Sequence, residues 1–224
     1  MSHSNKTAIL VGATGLVGTE LLQILLNSKE YIKVTVLTRK KLNIEHTKLH
    51  QVMIDFAKLS SYKEYFEVDD VYCCLGTTIK KAGSQEAFRI VDYEYPVTLA
   101  KLSKECKVEK FLIITAMGAD KFSKIFYNRV KGEVEDAIKE IELHALYFFR
   151  PSLLLGNRKE FRFGERFATV LSPLFSFLLS GPLEKYKPIH ARNVALAMYN
   201  TSRNGSKGIH TYLSNQIQDL SNKF

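Results

Sequence analysis

The stretch KTAILVGATGLVGTELLQILLN, residues 6–27, constrains the fold of this chain more than any other. A short β-compatible apolar run ends in glycine, and Leu and Ile then recur at helical spacing. Between the two lie Gly12, Gly15 and Gly18, spaced G-x-x-G-x-x-G. At a strand-to-helix junction each of the three has a physical use. The first permits a tight turn, the second lets a diphosphate approach the backbone, and the third lets the helix pack closely on a sheet. An anion seated there rests on the N–H groups of the helix N-terminus. Three glycines at this spacing are weak evidence anywhere else; their place at the first β–α junction favours a dinucleotide-binding turn over a structural corner.

The same grammar recurs down the chain. KVTVLTR and HQVMIDF read as strands, SYKEYF as a short helix, and DDVYCCLG as a strand. SQEAFRIVDYEYPVTLAKLSKEC reads as a long helix with a kink before Pro96. KFLIITAMG, FSKIFYNRVKGEVEDAIKEI and ALYFFRPSLLLG continue as strand, helix and strand. The strands are continuous apolar runs rather than in–out alternations, as expected where both faces of a sheet are covered. Strands alternating with helices imply right-handed βαβ units and a doubly wound parallel sheet of the Rossmann type. After residue 155 the pattern loosens into a basic loop, GNRKEFRFGER, and an apolar stretch at 167–183. A helix in KPIHARNVALAMYNTS and a strand in GIHTYL follow. The organisation expected is a single α/β domain over residues 1–224, with 156–224 forming a small cap on the substrate side.

Bulk properties narrow the function classes. With 224 residues, 46% hydrophobic and 25% charged, the chain can bury one substantial core. It has three cysteines, two of them adjacent (Cys73 and Cys74), and no His/Cys group at metal-ligand spacing. That argues against a disulfide framework and a metal site, and for a reducing interior. The N-terminal residues lack the charged and apolar regions of a secretory signal, so a cytoplasmic location is expected. The stretch 167–183 is broken by Pro173 and falls short of the ~20 apolar residues that span a bilayer. It reads as a lid, cap or interface, with an amphipathic membrane-surface patch as the weaker alternative. The net charge of +9 is spread along the chain without a basic stripe interleaved with aromatics. A basic surface around a phosphate-bearing small molecule accounts for it better than nucleic acid does.

The second strand ends VLTRKK. An NAD-selective site carries an acidic residue here for the ribose diol. Arg39 and Lys40 suit a 2′-phosphate instead, so NADP(H) is expected over NAD, the alternative being a solvated basic turn. Asp55, ending the third strand, is open between accepting from an adenine amino group and capping the next helix. In CCLGTT, which ends the fourth strand, Leu75, Gly76 and Thr77 are expected to wall the cofactor. Cys73 and Cys74 lie inside the apolar run and read as buried, inert thiols.

Among 11 tyrosines only Tyr127 has a lysine four residues on, Lys131. At about 100° per residue, Val130, Val134, Ala137, Ile138 and Ile141 form one arc of this helix, and Tyr127 and Lys131 lie in or beside it. A lysine on the sheet-facing edge of a helix needs a partner, and a nucleotide ribose in the adjoining cleft would be one. A nearby ammonium would also lower the phenol's pKa from its usual value near ~10. Gly132 follows at once, as though bulk there were not tolerated.

A parallel sheet with a Gly-rich first turn and a later Tyr-x-x-x-Lys helix resembles the short-chain dehydrogenase/reductase superfamily. More narrowly, VGATGLVG, LTRKKL, CCLGTT, KAG, GADK, YNRVKGEVE and FRPSLLLGNRKEFRFGE, in this order, resemble the atypical members of the HIV Tat-interacting-protein type. The resemblance is dense through residue 165 and looser beyond. It implies that Thr14, Gly15, Leu16 and Val17 contact the diphosphate and ribose, and that Arg39 and Lys40 bind the 2′-phosphate. It further implies that Leu75 and Gly76 line the cofactor, that Lys131 holds the nicotinamide ribose, and that Leu154 and Arg162 close over the nicotinamide end. Tyr127 would be the proton donor or acceptor. One position departs from the pattern: the superfamily places a Ser near the end of the fifth strand, where this chain reads IITAMG. Thr115 either substitutes for that Ser or is a strand residue with a satisfied hydroxyl.

The activity expected is NADPH-dependent reduction of a small carbonyl-type or related acceptor through a Tyr127/Lys131 relay. The alternative is an NADP(H)-sensing regulatory or partner-binding protein with little turnover, toward which the family's name and the absent Ser both point.

Overall fold

A computed structural model describes residues 5–156 and 181–223, so Arg162 and nearly all of the apolar stretch 167–183 fall outside the described residues. Seven strands form one sheet: β1 (Lys6–Val11), β2 (Tyr31–Thr38), β3 (Leu49–Met53), β4 (Asp70–Cys73), β5 (Lys110–Ile114), β6 (Ala145–Arg150) and β9 (Gly208–Leu213). Their order is β3-β2-β1-β4-β5-β6-β9, and every pairing is parallel. The strand order is that of a Rossmann sheet. The short strands β7 (Leu154–Leu155) and β8 (Ile189–His190) pair apart from it.

The continuous apolar runs have the cause expected of them. Along β1, Ala8 and Leu10 point to one face and Ile9 and Val11 to the other, and all four are fully buried. Helices α1 (Leu16–Asn27) and α6 (Ala191–Asn204) cover the first face through Leu21, Leu22, Leu25, Val194, Ala195 and Met198. Helices α4 (Tyr95–Glu105) and α5 (Phe126–Lys139), with a 3-10 segment over Phe56–Phe66, cover the second through Leu99, Val134, Ile138, Phe56 and Leu59. Each such side chain larger than alanine contributes roughly 1.5–3 kcal/mol on burial.

Residues 85–105 form one helical run, as the sequence suggests, but the irregularity before Pro96 is a widening rather than a kink. Short helices α2 (Ile79–Ala82) and α3 (Gln85–Arg89) lead into a π turn at Ile90–Glu94, where the Tyr95 N–H bonds the Ile90 carbonyl. Pro96 has no N–H to offer the Asp92 carbonyl and would crowd it, and widening the turn relieves that mismatch.

Residues 157–180 of the expected cap lie outside the described residues, and the remainder of the tail joins the sheet and its helical layer. β9 is the seventh strand of the sheet, α6 lies against α1, and α7 (Ser214–Ser221) packs on α6. The apolar face of α6 has the same 3.6-residue period as α1, and it completes the first helical layer rather than covering the sheet's edge. The N-terminal edge of the sheet is tied by a buried polar group. Asp70 accepts from Lys6 (2.6 Å) and from Tyr31, whose hydroxyl meets Tyr72 (2.8 Å) and Ser202 (3.0 Å).

Candidate cofactor and proton-transfer site

In this topology the chain runs outward from β1 through β2 and β3, then returns to β4 on the other side. The loops after β1 and β4 therefore diverge and leave a crevice at their carboxyl ends. Gly12 turns the chain there with φ +88°, a backbone conformation that side chains disfavour. A Cβ on Gly12 would stand 2.4 Å from the Cys74 carbonyl oxygen, and one on Gly18 would stand 2.1 Å from the Gly12 oxygen. Both glycines are thus required by backbone packing.

Gly15 is different. Its φ of −77° suits any residue, and it is the N-cap of α1 with no side-chain cap. A Cβ there would meet the Gly12 oxygen at 3.2 Å and the Cys74 oxygen at 3.8 Å, with no further contact within 4 Å beyond its own turn of helix and chain neighbours among the described residues. An uncapped helix N-terminus beside space that one side chain would fill fits a diphosphate. Thr14 is exposed and Leu16 half-buried, whereas Val17 is only 4% exposed and packs in the core, so its backbone alone can face a ligand. Gly156, just after β7, brings the chain back over this turn, since its Cβ would lie 2.8 Å from Leu16 Cδ1. Leu154, half-buried on β7, packs on the same side of the sheet.

At the end of β2 the Thr38 hydroxyl donates to the Lys40 carbonyl (2.8 Å), and Arg39 and Lys40 are exposed. Asp55 caps the 3-10 segment by accepting from the Ala57 N–H (3.0 Å), so the capping reading of this residue is realised. Tyr95, which no sequence argument singled out, lies between these groups. Burial and the Asp55 charge raise its phenol pKa while Arg39 opposes them, and its ring packs 5.2 Å from Phe56.

Beyond β4, Leu75 and Thr77 are half-buried and Gly76 is exposed. Burial pushes the Cys73 thiol up to about 12 and also raises Cys74, so both remain un-ionised at neutral pH. The Thr77 N–H donates to Asp92 Oδ2 (2.8 Å), which ties this loop to the π turn.

On α5, Tyr127 is half-buried with its ring 5.7 Å from Phe88. The Lys131 side chain is 5% exposed, and its ammonium lies 2.8 Å from Asp92 Oδ1, a carboxylate 1% exposed. The two meet charge to charge, since Oδ1 accepts no aligned hydrogen bond. The partner that a sheet-facing lysine requires is therefore supplied by the protein. An ammonium carries three donor protons, so a ribose hydroxyl remains admissible as a further acceptor. Gly132 is crowded, as expected: a Cβ there would come within 2.2 Å of the Lys121 backbone nitrogen, where the loop before α5 crosses the helix.

Of the two readings of Thr115, the structure has the one with a satisfied hydroxyl. Thr115 is 4% exposed, and its hydroxyl donates to Glu135 Oε1 (2.6 Å). Arg150 Nε donates to the same oxygen (2.9 Å). Glu135 is fully buried, and leaving its carboxylate short of donors would be costly, so the Thr115 proton is held in the core. Asp92 and Glu135 were both absent from the sequence reading. The signals were available: Asp92 is an acid four residues after the core residue Phe88, and Arg150 is a cation ending an apolar strand.

A family model described as NAD(P)H-binding matches residues 12–152. Protein HTATIP2 of Rattus norvegicus is 40% identical over 165 residues, covering 72% of this chain and 68% of its own. Protein FMP52, mitochondrial, of Candida albicans is 32% identical over 159 residues, 69% of each chain. Further FMP52 proteins carry the word mitochondrial in their names, which overturns the cytoplasmic location expected from the N-terminal residues. Among solved structures, the Bordetella bronchiseptica enzyme WbmH in complex with NAD+ superposes with a TM-score of 0.69 at 16% identity. That superposition covers 96% of this chain and 79% of the other, and bears on the fold alone. Among the described residues no helix is long and apolar enough to cross a membrane.

Proposed function

Because the chain belongs to the NAD(P)H-binding family and, within it, to the atypical short-chain dehydrogenase/reductases of the HTATIP2 type, we propose that it is an NADPH-dependent reductase of a small carbonyl-type acceptor. The observation that carries this reading is the Gly15 notch, an uncapped helix N-terminus beside space that a side chain would fill. Arg39 and Lys40 would hold the 2′-phosphate through charge-assisted contacts, and Thr14 and Leu16 would flank the diphosphate. Leu75 and Gly76 would wall the ribose, and Lys131 would hold its hydroxyls. Bound NADPH supplies the hydride. Tyr127 would give its phenolic proton to the acceptor oxygen, so that carbonyl, hydride and proton together make an alcohol. With Thr115 bonded to Glu135, Tyr127 is the side chain assigned to polarise the carbonyl. The names of the yeast relatives support mitochondria as the site of action.

The second reading, an NADP(H)-responsive regulatory protein with little turnover, is favoured by one specific observation. Lys131 is neutralised by Asp92 and Thr115 is turned to the core, which leaves the proton-transfer machinery sparse. NADPH oxidation against a panel of aldehydes, ketones and quinones separates the two. The reductase reading expects turnover with at least one acceptor. It also expects Tyr127→Phe to lower turnover by ~10²-fold or more while cofactor affinity is unchanged. An unaltered protein that binds NADPH yet oxidises it with none of these acceptors sinks the reductase reading and leaves the regulatory one.

A further inference from the structure

A second cluster of charge lies at the other edge of the sheet, away from the crevice. There β1, β4 and β5 begin with Lys6, Asp70 and Lys110 on three adjacent parallel strands. Asp70 and Lys110 are register partners, and the Lys6 ammonium meets the buried Asp70 carboxylate at 2.6 Å. Both ammoniums also donate to one acceptor, the Ser202 carbonyl in the last turn of α6, at 3.1 Å from Lys6 and 2.9 Å from Lys110. One lysine on an orphan carbonyl at a helix end is ordinary capping. Two are not required, and here a single carbonyl holds two like charges together beside one buried carboxylate. Deprotonation of one amine relieves that repulsion. Burial and the Lys6 charge push the Lys110 amine below the usual lysine value, against the opposing pull of Asp70 and Glu109. Lys110 also lines a cavity of about 180 Å³ with Glu109, His144, Gly205, Ser206 and Lys207. Glu109, His144 and Lys207 are exposed, so small molecules reach it from solvent.

We propose that Lys110 is a nucleophilic amine that takes up carbon dioxide reversibly as a carbamate, at a site separate from the crevice and independent of the reductase reading. The neutral Lys110 nitrogen forms a bond to the CO2 carbon, one C–O π pair moves onto oxygen, and the nitrogen releases a proton to solvent. Nothing is oxidised or reduced, and loss of CO2 with return of the proton reverses the step. The surroundings suit the product. The carbamate nitrogen keeps one N–H for the Ser202 carbonyl. Asp70 and Ser202 take two of the three Lys6 protons, which leaves the third for a carbamate oxygen. A repelling pair of cations thus becomes an attracting pair of opposite charge, with His144 and Lys207 lining the same cavity and Glu109 opposing. A neutral imine, the product of an aldehyde at the same amine, has no N–H for Ser202 and no anionic oxygen for Lys6. The cavity is several times the ~30 Å³ share of a liquid water molecule, which suits a three-atom ligand.

The test is to equilibrate the unaltered protein with 13C-bicarbonate at pH 8, trap carbamates by O-ethylation with triethyloxonium, and locate the label by mass spectrometry of peptides. Label at Lys110 should exceed label at Lys33, which is exposed on β2, by about tenfold or more, a small part of what burial beside a like charge does to a lysine. It should vanish when CO2 is purged before trapping. Lys110→Arg keeps a cation and a donor for Ser202, and it should remove the corresponding 13C carbamate signal from the NMR spectrum. Lys6→Met makes the Lys110 ammonium easier to keep and takes away the partner of the carbamate oxygen, so it should lower the label at Lys110 by about tenfold. If that variant does not fold, the site-resolved label in the unaltered protein still decides. Label at Lys110 no greater than at Lys33 overturns the proposal. So does a Lys110 that resists CO2 but is fixed by a small aldehyde and borohydride, which assigns the amine to imine chemistry instead.

Discussion

The three glycines of the first turn should respond very differently to substitution, and the difference separates packing from ligand binding. In Gly18→Ala the new Cβ would stand 2.1 Å from the Gly12 oxygen and 2.8 Å from the Gly12 carbonyl carbon, both backbone atoms. Relieving that overlap requires α1 to move off the sheet by about an ångström, which as overpacking costs ~1–3 kcal/mol or more. Gly12→Ala adds left-handed strain, about 1–2 kcal/mol, to a 2.4 Å overlap with the Cys74 oxygen. Gly15→Ala keeps an allowed φ of −77°, and its Cβ meets the Gly12 oxygen at 3.2 Å among the described residues, so its cost is a shift of that oxygen by a few tenths of an ångström and a poorer N-cap, together about 1 kcal/mol. Urea denaturation should therefore rank the variants with Gly15→Ala close to the unaltered protein and the other two well below it. Gly15→Val, which fills the notch further, should remain folded and lose NADPH binding in calorimetry. If Gly15→Val is folded and binds NADPH with unchanged affinity, the diphosphate does not lie at this turn, and the glycine series reports packing alone.

Two other outcomes are expected. NADPH should bind at least about tenfold more tightly than NADH, and Arg39→Ala with Lys40→Ala should abolish the difference by loss of NADPH affinity; equal affinities in the unaltered protein, by calorimetry at fixed salt, end that assignment. Stability should fall in alkali: the Cys73 thiol is raised from 9.0 to about 12 and the Tyr31 and Tyr72 phenols are raised above 10.0, all chiefly by burial. A raised folded pKa gives stability that is complete below the unfolded value and lost as pH climbs toward the folded one, so Cys73 alone withdraws about 1.4 kcal/mol per unit above pH ~9. Urea midpoints under reducing conditions should drop steadily from pH 9 to pH 11, and a flat profile contradicts the burial argument.

The fold was legible because the demands it makes on sequence are local and periodic. Ala8–Val11 had to be apolar at every position to lie between two helical layers, and Leu21, Leu22 and Leu25 had to recur at helical spacing to cover one of them. The glycine turn was legible for the same reason, since its three residues act within one loop and one helical turn. The docking of the tail is not legible in the same way, because α6 and β9 carry ordinary helix and strand patterns that say nothing about where in the sheet they lie. Residues 208–213 pair with β6 in register from Ala145↔Gly208 to Arg150↔Leu213, an arrangement that long-range packing decides. The lack of a secretory signal does not separate the cytoplasm from the mitochondria named for the yeast relatives.

The chemistry of the crevice was less legible, for a reason visible in its pairs. Lys131 finds Asp92 across 39 positions of sequence, Thr115 finds Glu135 across 20, and Thr77 finds Asp92 across 15. None of these pairs has a period, and each partner alone reads as an ordinary helix or strand residue. The rule that does reach them is electrostatic: a charge on a core-facing position must be met by another. Applied to Lys131, that rule calls for a buried acid on a neighbouring element, and Asp92 is the one acid on the buried stripe of the α3–α4 run. Applied to Arg150, at the end of an otherwise apolar strand, it leads to Glu135 and so to the bond that takes the Thr115 hydroxyl away from the crevice. The two ion pairs sort the three expected catalytic side chains: Thr115 goes to the core, Lys131 is anchored, and Tyr127 is left as the group whose proton the crevice can use.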